Sequence, residues 1–264
     1  MELIVNKLKV FIATGGKEFN ANKPALVMLH GAGMDHTVWS MQARYFAHHG
    51  FSVLNPDLPG HGRSDGPPPA SIEEYMKWVL RLIMEVEARE IHLIGHSMGS
   101  LIALASSAEL GEKMVKQALL GTLPHIQVHP NLLESAQKNE HVAYETVVGW
   151  GVGSKAQIGG NRAPGAWVTG ASMRLLEASK PGVLGNDLNA CNSWKAGLET
   201  CSKVLCPTLL LLGSNDKMTP PKGTRAMSEI LRASSTITLP DAGHMMMVEQ
   251  PEQTLDALIS FFEN

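Results

Sequence analysis

Three residues of different chemistry stand just past three apolar runs. Ser97 lies in "GHSMG" (95–99), Asp216 in "LLLLGSNDKMTP" and His244 in "LPDAGHMMMVEQPE". A serine hydroxyl attacks a carbonyl near neutral pH only when a base takes its proton. An imidazole is that base when neutral, and a carboxylate fixes its tautomer and steadies the imidazolium that forms. The order Ser, Asp, His along the chain matches the order expected of a sheet of this topology. The other place for an acid, after the run ending at Gly121, holds no carboxylate: "GTLPHIQVHP". Asp241, three residues before His244, is too local for the task and reads as a turn cap.

The attack also needs N–H groups aimed at the oxyanion it creates. "VMLHGAGMDH" places small residues directly after another apolar run, and the N–H of Ala32 pairs with that of Met98 as the expected oxyanion donors. The remaining histidines have duller readings. His30 and His61 brace loops, His48 and His49 end a helix, His92 sits in a strand, and His125, His129 and His141 lie in the middle segment.

The elements that must hold these residues follow from hydrophobic patterning. "ALVMLHG" (25–31), "GFSVLNPD" (50–57), "IHLIG" (91–95), "KQALLG" (116–121), "CPTLLLLG" (206–213) and "STITLPDAG" (235–243) are short runs of buried-strand character. Helical patterns separate them. The clearest is "SIEEYMKWVLRLIMEVEA", where Ser71 and Glu74 form a capping box and Ile72, Tyr75, Met76, Val79, Leu82, Ile83 and Val86 make one apolar stripe. The alternation predicts an α/β fold, a mostly parallel sheet flanked by helices, with Ser97 and His244 at its carboxyl edge.

The rhythm breaks at residues 123–200, which hold helical pieces near 131–148 and 165–180 and a glycine-rich run, "GWGVGSKAQIGGNRAPG", expected to be irregular. The expected organisation is therefore a core of 1–122 and 201–264 with a helical cap inserted at 123–200. Trp150, Trp167 and Met173, with Leu175 and Leu176, are candidates for the pocket wall. Arg162, Arg174 and Lys195 leave room for a substrate bearing a carboxylate.

Composition narrows the function class. The 264 residues are 44% apolar and 18% charged, with a formal net charge of −3 and no basic cluster for nucleic acid. No apolar run has the length of a membrane span, and the amino-terminal stretch reads as strands rather than as a signal peptide. Cys191, Cys201 and Cys206 cannot all pair with one another, which favours reduced thiols and a cytoplasmic setting. No His or carboxylate grouping has metal-ligand spacing, and nothing in the sequence calls for a cofactor.

Taken together, "HGAG" (30–33), "DLPGHGRSD" (57–65), "GHSMG" (95–99), "GSNDKMTP" (213–220) and "GHMMMVEQPE" (243–252) resemble, in order, the blocks of the α/β-hydrolase superfamily. The resemblance spans nearly the whole chain and implies Ser97 as nucleophile, Asp216 as acid, His244 as base and Ala32 and Met98 as oxyanion donors. A serine nucleophile departs from haloalkane dehalogenases and epoxide hydrolases, which use aspartate. Ala32 departs from the perhydrolases, and His96 from the carbon–carbon bond hydrolases, which place Asn before the serine. The elbow and the "HGAG" loop are most similar to carboxylesterases and small-acyl lipases, and a cap of about 75 residues leads one to expect a closed pocket and a small-molecule ester substrate of short to medium acyl chain. A diketone hydrolase or lactonase, and a ligand receptor with a retained triad, stay open as alternatives.

Overall fold

Continuous apolar runs make strands that are buried on both faces, and such strands pair in parallel beneath two layers of helices. In the computed structural model, which describes residues 1–161 and 165–263, eight strands form one sheet. They are β1 (Glu2–Val5), β2 (Leu8–Ala13), β3 (Ala25–Leu29), β4 (Ser52–Pro56), β5 (Ile91–His96), β6 (Met114–Leu120), β7 (Thr208–Gly213) and β8 (Ser234–Leu239). Their spatial order is β1-β2-β4-β3-β5-β6-β7-β8. The first two strands join antiparallel, and every pair from β4 to β8 is parallel.

Every residue of β3, β5 and β7 is buried, as their runs predict. β8 departs from its expected buried character: only Leu239 is buried, because it is the edge strand and pairs with β7 alone. The order reverses about β3, which has β4 on one side and β5 on the other. Such a switch point opens a crevice at the carboxyl ends of the strands. The loops after β3 and β5 carry "HGAG" and Ser97.

The helices are α1 (Ser40–His48), α2 (Ile72–Glu85), α3 (Met98–Leu110), α4 (Pro130–Gln137), α5 (His141–Gly151), α6 (Ser154–Gln157), α7 (Val168–Glu177), α8 (Val183–Ser193), α9 (Gly197–Lys203), α10 (Arg225–Ile230), α11 (Met246–Glu249) and α12 (Pro251–Phe262). Among the described residues none is long and apolar enough to cross a membrane. The Ser71 hydroxyl accepts from Glu74 N–H at 3.3 Å, as a cap should. The Glu74 carboxylate, however, reaches Ala70 N–H at 2.8 Å rather than Ser71, so the box closes one residue early.

Between β6 and β7 the described residues form α4 to α9 and no strand. The glycine-rich run is more regular than its composition implies: α5 continues to Gly151 and α6 follows after two residues. The helices α8 and α9 have no counterpart among the expected elements. All three cysteines are free and buried.

Candidate active site

Ser97 occupies the corner between β5 and α3 with φ 54° and ψ −119°. That backbone conformation is sterically costly for any residue with a β-carbon, and such strain persists only where the surroundings enforce it. Two glycines allow the corner to close. A β-carbon on Gly95 would lie 2.1 Å from Gly99 O, and one on Gly99 would lie 2.3 Å from Leu29 O. Ser97 N–H bonds to Leu120 O at 2.9 Å, which pins the turn to β6. Within residues 91–100 every residue except Ser97 is buried. The corner therefore turns one hydroxyl-bearing residue toward a cavity.

Asp216 is fixed by the turn that follows β7. Its Oδ1 accepts the N–H groups of Met218 and Thr219, both at 2.8 Å. Its Oδ2 accepts the Thr219 hydroxyl at 2.6 Å and the His244 ring at Nδ1 at 2.7 Å. Both residues are buried. Burial alone raises the Asp216 carboxyl, but the adjacent His244 ring and the Thr219 donors outweigh it and hold the group below its ordinary range. The carboxylate thus stays ionised and keeps the His244 proton on Nδ1, leaving Nε2 as the acceptor. That Nε2 is buried without a hydrogen-bond partner, and His244 and Ser97 share the wall of one cavity.

The backbone of His244 is held from two directions. His244 N–H bonds to Gly151 O of α5 at 2.7 Å, and His244 O faces His96 Nε2 at 2.9 Å. Because a carbonyl only accepts, His96 carries its proton on Nε2, and deep burial beside His244 pushes its pKa well down and keeps it neutral. Glu249 supplies a further anchor. Its two oxygens accept the N–H groups of Gly153, Gly243 and Met245, each at 3.0 Å.

The loop after β3 runs beside the corner, and a β-carbon on Gly31 would lie 3.3 Å from Ser97 Cβ. Gly31 O accepts His30 Nδ1–H at 2.9 Å and Met34 N–H at 3.2 Å. Since the peptide is planar and trans, fixing that carbonyl fixes the direction of the Ala32 N–H on its other side. His30 Nε2 in turn accepts Leu58 N–H at 3.0 Å, so His30 braces this loop to the next, and burial pushes its pKa down to about 4. Met98 opens α3, where first-turn N–H groups have no partner within the helix.

The cavity holds about 340 Å³ and is largely apolar. Ala32, Ser97, Thr219 and His244 face it from the sheet side, and Val147, Trp150, Leu175, Leu176, Leu184 and Leu188 from the helices between β6 and β7. Of the expected wall residues, Trp150, Leu175 and Leu176 are on this cavity. Trp167 is not: it precedes α7, is 75% exposed and lines a separate surface groove with Met41 and Val248. Met173 also lies off the cavity wall, packed partly buried against the core. Trp167 stands ahead of the first turn of α7 and stays outside, while within α7 the helical phase puts Leu175 and Leu176 on the cavity and leaves Met173 off it.

Arg174 is exposed and paired with Glu177, Lys195 is exposed, and Arg162 lies outside the described residues. The lysine on the cavity wall is instead Lys217. The fold also gathers Asp35, His36 and Asp57, a grouping hidden by their sequence separation. Asp57 is already engaged by His36 Nδ1 at 2.7 Å and by the N–H groups of His36 and Arg63, both at 2.8 Å.

The most consequential residue absent from the sequence reading is Asp187, on α8, wholly buried. It accepts His61 Nε2 at 2.7 Å, Tyr75 OH at 2.7 Å and Gly33 N–H at 2.9 Å. One signal for it existed. Val183, Leu184, Leu188 and Cys191 form an apolar stripe, and Asp187 falls inside it at helical spacing.

Residues 26–257 match the family model described as the alpha/beta hydrolase family. A curated relative is an (E)-2-((N-methylformamido)methylene)succinate hydrolase of Acinetobacter baylyi, 26% identical over 246 residues and 90% of each chain. Another is a pimeloyl-[acyl-carrier protein] methyl ester esterase of Aromatoleum aromaticum, 27% identical over 247 residues, 88% of this chain and 95% of that one. Among solved structures, the enol-lactonase of Burkholderia xenovorans LB400 superposes with a TM-score of 0.89 over all of both chains at 20% identity.

Proposed function

This chain belongs to the alpha/beta hydrolase family, and from that premise we propose that it is a serine hydrolase cleaving carboxylic esters through an acyl-enzyme. The observation that carries the reading is the Asp216–His244 hydrogen bond of 2.7 Å, with the far nitrogen of His244 unpartnered on the cavity wall that includes Ser97. Ser97 Oγ adds to the ester carbonyl carbon as His244 Nε2 takes its proton. The N–H groups of Ala32 and Met98 receive the oxyanion. His244 returns the proton to the departing alkoxide, leaving the acyl group on Ser97. Water then adds to the acyl carbonyl as the same ring takes its proton; the bond to Ser97 Oγ breaks, the ring returns the proton to that oxygen, and the acid leaves.

The helices of residues 123–200 act as a cap that sets substrate choice. An apolar cavity of about 340 Å³ favours short to medium acyl esters over long-chain glycerides, because tails that cannot be buried add no transition-state binding. The named relatives include a methyl ester esterase and a hydrolase of an (N-methylformamido)methylene succinate, and the solved neighbours include an enol-lactonase. Intramolecular esters are therefore the second substrate class to test.

The test is a panel of nitrophenyl and alkyl esters of graded acyl length, a lactone, a thioester and a vinylogous diketone, each run beside Ser97→Ala. Ester turnover that falls with acyl length beyond medium chains, and vanishes in the variant, is the expected result. A hundredfold preference for the diketone in kcat/KM would move the reaction to carbon–carbon cleavage. No turnover of any member together with tight binding of a small ligand would make the chain a receptor.

A further inference from the structure

A carboxylate with no solvent exposure persists in a folded protein when its partners replace water, and removing one partner leaves an uncompensated charge. Asp187 meets that condition with donors from four places. Gly33 N–H comes from the loop after β3, His61 from the loop after β4, and Tyr75 OH from α2. The Asn186 amide, on α8 itself, approaches at 3.4 Å.

The geometry also fixes the charge of His61. Its Nδ1 faces Pro59 O at 3.0 Å and its Nε2 faces the Asp187 carboxylate at 2.7 Å. Both partners only accept, so both ring nitrogens carry protons, and the ring is an imidazolium paired with Asp187. The other titratable groups facing this pair are Tyr75, Cys191, Asp57 and His30, whose ring centre lies 4.9 Å from that of His61.

The position of Gly33 gives the pair its meaning. The peptide joining Ala32 to Gly33 directly follows the N–H assigned above to the oxyanion. His30 and Met34 hold the preceding peptide through Gly31 O, and Asp187 holds the following one through Gly33 N–H. Gly33 has φ +67°, and a β-carbon there would lie 3.1 Å from side-chain atoms of Leu176 and Leu184. Those leucines, with Leu188 and Cys191, line the cavity. Asp187 therefore sits on a helix that touches the substrate space on one side and the oxyanion loop on the other.

From these contacts we infer that Asp187 is a positioning residue through which the cap completes the oxyanion hole, so that the Ala32 donor is set only when α8 is docked. This inference rests on the serine-hydrolase reading. A substrate that fills the space along Leu184 and Leu188 presses α8 into place, and its binding energy is used to orient a transition-state donor. A small ester that leaves that space empty forgoes the gain. Chain length then acts on kcat as well as on KM.

Asp187→Asn tests this, assayed on the ester panel with Ser97→Ala as control. It keeps the shape of the side chain but removes the charge opposed to His61. The expected result is kcat lower by about 10² to 10³, the effect of losing one oxyanion donor, with KM within about threefold. A trifluoromethyl ketone that traps Ser97 should weaken by the same factor. The unreactive methyl ketone of equal length should bind as in the wild type, which a merely structural lesion would not spare. The rise of kcat with acyl length should flatten. If Asp187→Asn does not fold, His61→Gln and Tyr75→Phe take its place, with a kcat loss of about tenfold or more expected. Unchanged kcat in whichever variant folds, or a loss shared equally by both ketones, overturns the inference. Retained turnover in Ser97→Ala would instead overturn the reaction it serves.

Discussion

Gly121 lies against His244: a β-carbon at position 121 would come within 2.9 Å of ring atoms Nδ1 and Cε1, and 3.4 Å of Asp216 Oδ2. The end of β6 is one place from which an acid could reach this imidazole. Here the ring fills that space, and Asp216 reaches it from the end of β7 instead. Gly121 also has φ +54°, so an alanine there meets strain and a clash together. Gly121→Ala should lower kcat/KM by about 10- to 100-fold and cost about 1–3 kcal/mol of stability. Ester kinetics beside urea unfolding checks both, and full activity would show that the ring has more freedom than these contacts allow.

Ser97, His244 and Asp216 should behave as one unit. Ser97→Ala and His244→Ala should each lower turnover by roughly 10⁴ to 10⁶, and the double variant little further. Additive losses in the double variant would mean that the two residues act in separate steps.

Glu249 holds the His244 loop to the segment after α5 through three backbone donors. Glu249→Ala leaves those N–H groups buried and unpaired, each costing about 1–3 kcal/mol. The melting temperature and kcat should fall together while KM changes little. A normal melting temperature would show that water takes over the anchoring.

The His61–Asp187 pair has a pH signature. Burial works against the His61 charge, but the Asp187 carboxylate outweighs it and raises the ring above its ordinary 6.5. A raised histidine stabilises the fold fully below its unfolded pKa and loses that stabilisation as pH rises through the folded value. Asp187 is held below its ordinary range and stays ionised across that window. The gap in melting temperature between wild type and His61→Gln should therefore be widest below pH 6.5 and narrow as pH rises above it through the folded value. A gap that widens with pH would mean that the ring is neutral in the fold.

Trp150 lines the cavity and Trp167 does not. Trp150→Ala should change the ratio of kcat/KM between short and medium acyl esters by about tenfold, whereas Trp167→Ala should leave it within about twofold. Equal effects of the two variants would place the substrate outside the cavity described here.

These contrasts also mark what was legible in the sequence. Ser97, Asp216 and His244 each follow a strand by one to five residues, apolar and buried for the first two and a mixed edge strand for His244, so strand patterning placed them at one edge of the sheet. Trp150 and Trp167 were indistinguishable by type, because only the fold puts Trp150 in α5 on the cavity and Trp167 ahead of α7 on the outer surface. Asp187 and Glu249 were hidden for another reason. The apolar stripe of α8 marks Asp187 as inward-facing but does not show its partners, which lie far away in sequence, and the partners of Glu249 are backbone N–H groups, which carry no residue-type signal. Asp187 contacts residues 154, 126 and 112 positions away.

If His244 makes Ser97 a reactive nucleophile, treatment with a small-alkyl fluorophosphonate adds one phosphonyl group to the intact protein. Intact-protein mass should show a single adduct, mapped by peptide mass to Ser97, absent in Ser97→Ala and formed at least about a hundredfold more slowly in His244→Ala. An adduct on another residue with activity lost, or unlabelled Ser97 in protein that turns over esters, would contradict it.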